Sequence, residues 1–219
     1  MTESRPSRSA LPSLTERRKA ATQLDIARAA AELFTEKGPD GTTAEEIADR
    51  AGVALRTFYR YFRSKQDAVA PLLSSGGDHW RALLADSGSR TPLAQALEAA
   101  AVASLRLPGA AREDEGLRWT RGLLRAARND AALRAVWYRV NQESEERLLP
   151  ILTGLAGPDA DPLEVRLVAA AATDAIRVAL ETWALADAED GEAASPAELM
   201  VRCMRELTGG LRLPARARV

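Results

Sequence analysis

The sequence predicts an all-α protein. Apolar residues recur every three to four positions over long stretches, and nowhere does the chain alternate β-branched with polar residues. Helix-start signatures of the Ser/Thr-x-x-Glu/Asp kind, together with Gly/Pro/Asp breaks, cut the 219 residues into helix-sized pieces with no internal repeat.

Residues 1–13, MTESRPSRSALPS, are Ser/Pro/Arg-rich without apolar period and read as a mobile arm. From Thr15 the pattern turns helical: Ile26, Ala30, Leu33 and Phe34 share a face, and Gly38-Pro39 closes the segment. Thr43 with Glu46 three residues on is a capping box, opening a short helix over Ala44–Ala51 that buries Ile47, Ala48 and Ala51 and stops at Gly52. Only Val53 and Ala54 separate it from LRTFYRYF, and Ser64 with Asp67 repeats the cap ahead of KQDAVAPLL. Two short helices across a glycine-containing turn make a helix-turn-helix candidate. Farther on, SSGGD predicts a kink or break, followed by helices over 78–86, 92–106, 113–128, 131–153, 163–188 and 196–208.

Composition excludes several functions. Thirty basic and 31 acidic residues give a net charge of -1, so any nucleic-acid surface has to be local. Residues 1–75 hold 12 basic and 10 acidic groups, but 54–65 hold Arg56, Arg60, Arg63 and Lys65 with no acid. One cysteine, Cys203, and one histidine, His79, leave no material for a disulfide framework, a zinc cage or a catalytic triad; both are expected to be structural, and neither metal nor cofactor is expected. No Gly-rich phosphate loop, GxSxG elbow or HExxH occurs, so an enzyme is not expected. With no 18-residue uncharged apolar run and no apolar leader, no membrane partner is expected, and the location predicted is cytoplasmic, at the nucleoid.

Taken as one helix, 53–65 carries Phe58 and Phe62 at i and i+4, a pair suited to anchoring it, while Arg56, Arg60 and Arg63 at i, i+4 and i+7 form a separate stripe flanked by Leu55 and Tyr59. Such a helix fits the major groove, where arginine bonds bidentately to guanine and an exposed leucine meets a thymine methyl. Thr43 at a helix N-terminus, the hydroxyls of Thr57 and Tyr59, and Lys65 are the expected phosphate contacts.

TTAEEIADRAGVALRTFYRYFRSKQDAV resembles the DNA-binding signature of the tetracycline-repressor (TetR) family of bacterial regulators. The matching positions are Thr43, Ile47-Ala48, Ala51-Gly52-Val53, Thr57-Phe58-Tyr59, Tyr61-Phe62 and Ser64-Lys65, and the preceding helix, with Ala29-Ala30 and Leu33-Phe34 before Glu36 and Gly38, is similar too. Tyr61 joins the DNA-binding set through this match. Three positions depart from the family pattern. Ala54 stands where a capping serine is common, and Leu55-Arg56 where a polar residue and glycine are, so a relative's base preference does not carry over.

The resemblance implies a homodimer of all-α subunits: an arm (1–14), a three-helix helix-turn-helix head (15–67), and a helical bundle (68–219) that binds an effector and dimerises through helices 163–188 and 196–208. Small residues Ala169–Ala172, Ala175 and Ala179, and the stripe Met200, Met204, Leu207 and Leu211, are expected at that interface. Trp80, Trp119, Leu123, Trp137, Tyr138 and Trp183 are candidate walls of a pocket for a hydrophobic or aromatic effector, with Asn141 and Thr173 to orient it. Asp174 is a further polar residue of that kind. Arg118, Arg121, Arg125 and Arg128 form a second stripe, expected to pair with Glu143, Glu145 or Glu146 or to meet an anionic effector. The function expected is a ligand-released repressor on a pseudo-palindromic operator of double-stranded DNA. The alternative is a constitutive or architectural DNA-binding dimer without an effector.

Overall fold

A computed structural model describes residues 13–87, 91–105, 110–186 and 194–211. Among the described residues every regular element is helical: α1 (Leu14–Lys37), α2 (Ala44–Arg50), α3 (Leu55–Tyr61), α4 (Ala70–Ala85), α5 (Leu93–Ser104), α6 (Ala110–Ala126), α7 (Ala131–Ala156), α8 (Pro162–Leu185) and α9 (Pro196–Thr208), with a 3-10 turn at Asp67–Val69 ahead of α4. The all-α expectation holds, a helix-turn-helix followed by a helical bundle.

Local chemistry explains the boundaries. Ser13 and Leu14, read as arm from composition, are the cap and first residue of α1, because Ser13 and Glu16 exchange bonds in a capping box. The rest of that arm lies outside the described residues. Thr43 and Glu46 form the box expected on α2, and the Glu46 carboxylate also takes a bond from the Lys37 ammonium at the end of α1. Arg50, in the last turn of α2, forks onto Glu36 of α1 at 3.0 and 3.1 Å and reaches Glu32 at 3.3 Å.

No break occurs at SSGGD, which α4 includes within one helix. The Ser74 and Ser75 hydroxyls donate to the carbonyls of Pro71 and Leu72 within the helix. Gly77 lies under close side chains: a Cβ there would sit 3.2 Å from Ser144 Oγ and 3.3 Å from Arg81 Nη1. Glycine at this position answers a packing need and not a turn.

Two apolar clusters organise the chain. The first joins Ile26, Ala30, Leu33 and Phe34 of α1, Ile47 and Ala48 of α2, and Phe58 with Phe62 to Leu123, Leu124, Leu133, Val136 and Trp137 of α6 and α7. The second gathers Trp80 and Leu84, Leu97, Leu148 and Leu152, Val168, Ala172, Ala175 and Ala179, and Met200 and Met204. That changes which residues of α8 and α9 can face a second subunit. Ala169, Ala172, Ala175, Ala179, Met200 and Met204 are all buried within one subunit, where the small α8 side chains let α9 approach. The exposed apolar residues of these helices are Leu163, Leu167, Val178, Leu185 and Leu207.

Two outcomes test this packing. Phe58→Ala empties a fully buried site and is expected to cost about 3–5 kcal/mol in urea denaturation. Hydrogen bonds from Lys37, then from the Thr43 N–H, hold the Glu46 carboxyl at about 2 against an ordinary 4.5. A carboxyl lowered in the folded protein stabilises it above the ordinary value and loses that contribution as pH falls. The melting temperature should therefore drop further in the parent than in Glu46→Gln between pH 4.5 and 2.

Candidate nucleic-acid interface and body cavity

The turn between α2 and α3 rests on Gly52, whose φ of +66° favours glycine, and on a bond from the Val53 N–H to the Ala48 carbonyl at 2.9 Å. Ala54 heads α3 without a side-chain cap, as its methyl requires. Phe58 and Phe62 are buried with ring centroids 5.8 Å apart, and this pair fixes which face of α3 turns outward. Arg56, Tyr59 and Arg60 are exposed on it. Arg60 lies over the Tyr61 ring at 4.9 Å and donates to its hydroxyl at 3.2 Å, while Thr57 and Tyr61 are half-buried.

Two expectations change. The helix ends at Tyr61 and Phe62 is extended, so Arg63 lies past its end and off the stripe. Leu55 is half-buried against the core of the head, not free on the outer face, because the first turn of α3 tilts it inward onto neighbouring apolar groups. Lys65 donates to the Thr42 carbonyl at 2.9 Å, which ties it beside the exposed Thr43 at the start of α2. The backbone N–H and hydroxyl of Thr43 are themselves engaged with Glu46, so the cap expected there is formed.

Polar ties run from this region to the bundle. Gln66 donates to Asp130 at 3.0 Å, and Asp130 in turn caps α7 through the Leu133 N–H. Arg139 of α7 pairs with Asp67 at 2.6 Å and with Glu143 at 3.2 Å; Arg147 reaches Glu143 at 3.5 Å and Asp78 at 3.3 Å, and Asp78 pairs with Arg81. The result is an alternating chain of charges from Asp67 to Arg81.

Arg81 and Arg147 line a cavity of about 270 Å3 walled by α4, α6, α7 and α8. Of the candidate wall residues, Trp80, Trp119, Trp137, Asn141 and Thr173 line it, and Leu123, Tyr138 and Trp183 do not. Leu123 is buried in the first cluster, Tyr138 is 49% exposed beneath Arg177, and Trp183 packs beside Arg121. Arg81, Ser144 and Arg147 were not among the expected residues. The signal for Ser144 was present, since Trp137, Asn141 and Ser144 fall at i, i+4 and i+7 of one helix. Two buried polar atoms on cavity residues, the Trp80 indole nitrogen and the Thr173 hydroxyl, have no hydrogen-bond partner among the described residues. The pairing expected for Arg121 and Arg125 is also corrected: they donate to the carbonyls of Ala184 and Ala186, closing the C-terminal end of α8, while Glu143 serves Arg139 and Arg147. Among the described residues no cluster fit to hold a metal occurs, and no helix is long and apolar enough to cross a membrane.

The profile of "Bacterial regulatory proteins, tetR family" matches residues 26–70. The HTH-type transcriptional regulator TcmR of Streptomyces glaucescens is 32% identical over 85% of this chain and 83% of its own length. Among solved structures, a TetR-family regulator from Syntrophomonas wolfei superposes with a TM-score of 0.56 at 15% identity, over 87% of this chain and 94% of that one. A transcriptional regulator from Streptomyces coelicolor gives 0.51 at 20% identity, over 85% and 98%.

Proposed function

The chain belongs to the tetR family of bacterial regulatory proteins, DNA-binding transcriptional regulators and not enzymes, and from that premise we propose that it is a ligand-released repressor acting as a homodimer. The observation that carries the DNA-binding side is the outward face of α3, where Arg56 and Arg60 are exposed over two buried phenyl rings. In this reading the head, 15–67, lays α3 in a major groove, with Arg56 and Arg60 on base edges. Thr43, Thr57, Tyr59, Tyr61 and Lys65 contact the backbone around it. Leu55 supports the helix from beneath and takes no base.

Residues 68–219 would form the effector-binding and dimerisation part. A stripe of exposed apolar residues on α8 (Leu163, Leu167, Val178, Leu185), with Leu207 on α9, supports pairing of these two helices across a two-fold axis. Two heads would then meet half-sites about 34–36 Å apart, or a multiple of it. The cavity and the unpartnered polar atoms beside it support a small-molecule effector over a constitutive dimer with a closed body. The ion pairs from Asp67 to Arg81 support coupling between that cavity and the head. An effector that prefers a body conformation with misplaced heads lowers operator affinity by the difference it makes.

Gel-shift titration should find Arg56→Ala and Arg60→Ala each weaker by about 1–3 kcal/mol on the operator, with relaxed base preference. Parent-like binding by both variants contradicts the assignment. Leu167→Asp should convert the dimer to monomer in sedimentation at micromolar concentration while leaving the helical circular dichroism signal intact.

A further inference from the structure

The cavity is apolar over most of its wall, with three guanidiniums on it. Trp80, Trp119, Trp137 and Ile176 supply the apolar part. The ionisable residues on the wall are Arg28, Arg81 and Arg147, against the single carboxylate of Glu115.

Arg81 is the unusual one, only 5% exposed in the middle of α4. Burial pushes its guanidinium down from the ordinary arginine range, opposed by the charge of Asp78. It donates to the Ser144 hydroxyl and to Asp78, and the bare backbone of Gly77 makes room for this contact. Asp78 is not itself on the cavity wall, its side chain is half-exposed, and the same Oδ1 also serves Arg147. Arg147 has a further, longer contact to Glu143 at 3.5 Å, and Arg28 has Asp25 at 3.8 Å. One carboxylate oxygen of Asp78 therefore bridges two guanidiniums on a mostly apolar wall, Arg81 buried and Arg147 half-exposed with Glu143 as its second partner. Taking a cation out of water is costly unless it is well paired, and guanidinium offers a fork of donors matched to a carboxylate.

We infer that the effector is an amphipathic acid, its apolar body lying among Trp80, Trp119 and Trp137 and its anionic group held by Arg81 and Arg147. This rests on the ligand-responsive reading above and adds the ligand's charge to it. The bound anion competes with Asp78 for both guanidiniums.

Calorimetric titration of the full-length protein near neutral pH with three matched probes tests this: 2-naphthoate, its methyl ester, and 2-naphthylmethylammonium. The acid should bind one site per chain about tenfold more tightly than the ester, the ammonium weakest of all. Arg147→Gln should bring the acid-to-ester preference close to unity. Asp78→Asn, which removes the competing carboxylate, should tighten naphthoate severalfold. A general loosening of the fold does not produce effects of opposite sign. Ester or ammonium binding as tightly as the acid, an unchanged preference in Arg147→Gln, or no binding by any of the three overturns the inference. Operator release separates this from the broader reading. If a wider screen finds neutral or cationic compounds that release DNA, the ligand-responsive reading stands and the acid assignment falls; if no compound of any charge releases DNA, both fall.

Discussion

Two phenyl rings and the core they enter set the terms for everything else in this molecule. Phe58 lies inside a helix of only seven residues, too short to hold its shape alone, and Phe62 is the extended residue that ends it. Their burial fixes the helix in rotation, and that rotation is what leaves Arg56 and Arg60 facing water. The core they enter does not belong to the first three helices alone. Leu123, Leu124, Leu133, Val136 and Trp137 of α6 and α7 close it from the far side, so the bundle is part of the mould in which the head is cast.

That sharing gives the body mechanical purchase on the head. Trp137 belongs to the common core and also lines the cavity, and its indole N–H is held by Glu181 of α8 at 2.7 Å. In the proposed reading, a ligand that shifts Trp137 would act on the apolar cluster that also holds the phenyl rings. Alongside runs the polar route, from Asp67 through Arg139, Glu143 and Arg147 to Asp78 and Arg81. Farther along α6, Arg121 and Arg125 grip the end of α8, one of the two helices proposed to meet the second subunit. The helix that walls the cavity is thereby bonded to the helix that would set the distance between heads.

The head was largely legible in the sequence because its determinants are local. Capping boxes, a glycine at the turn and an aromatic pair at i and i+4 act within a few residues of one another, and the Thr43–Glu46 box and the Phe58–Phe62 anchor stand where the spacing puts them. What escaped depends on distant neighbours. Nothing near Leu55 in the chain reveals the core residues it leans on, and SSGGD reads as a kink or break until Arg81 and Ser144 are seen crowding Gly77. The alanines of α8 illustrate the same limit. Small residues on one face announce close helix packing, but whether the partner is α9 of the same subunit or a helix of another is a tertiary fact. Pocket residues divided likewise: an aromatic side chain on a helix is equally fit for a cavity wall, as Trp119 is, or for packing beside an arginine, as Trp183 is.

In the proposed reading α3 enters the major groove arginine-first. Guanine N7 lies in that groove and is the atom to which arginine bonds, whereas adenine N3 lies in the minor groove. Methylation interference on the operator recovered with this protein therefore tests the claim most directly. Methyl groups at guanine N7 should block binding at two clusters about one helical turn apart, or a multiple of it, and some of those positions should lose their effect in Arg56→Ala or Arg60→Ala. Interference confined to adenine N3, or a pattern at guanine N7 identical in the parent and both variants, would contradict it.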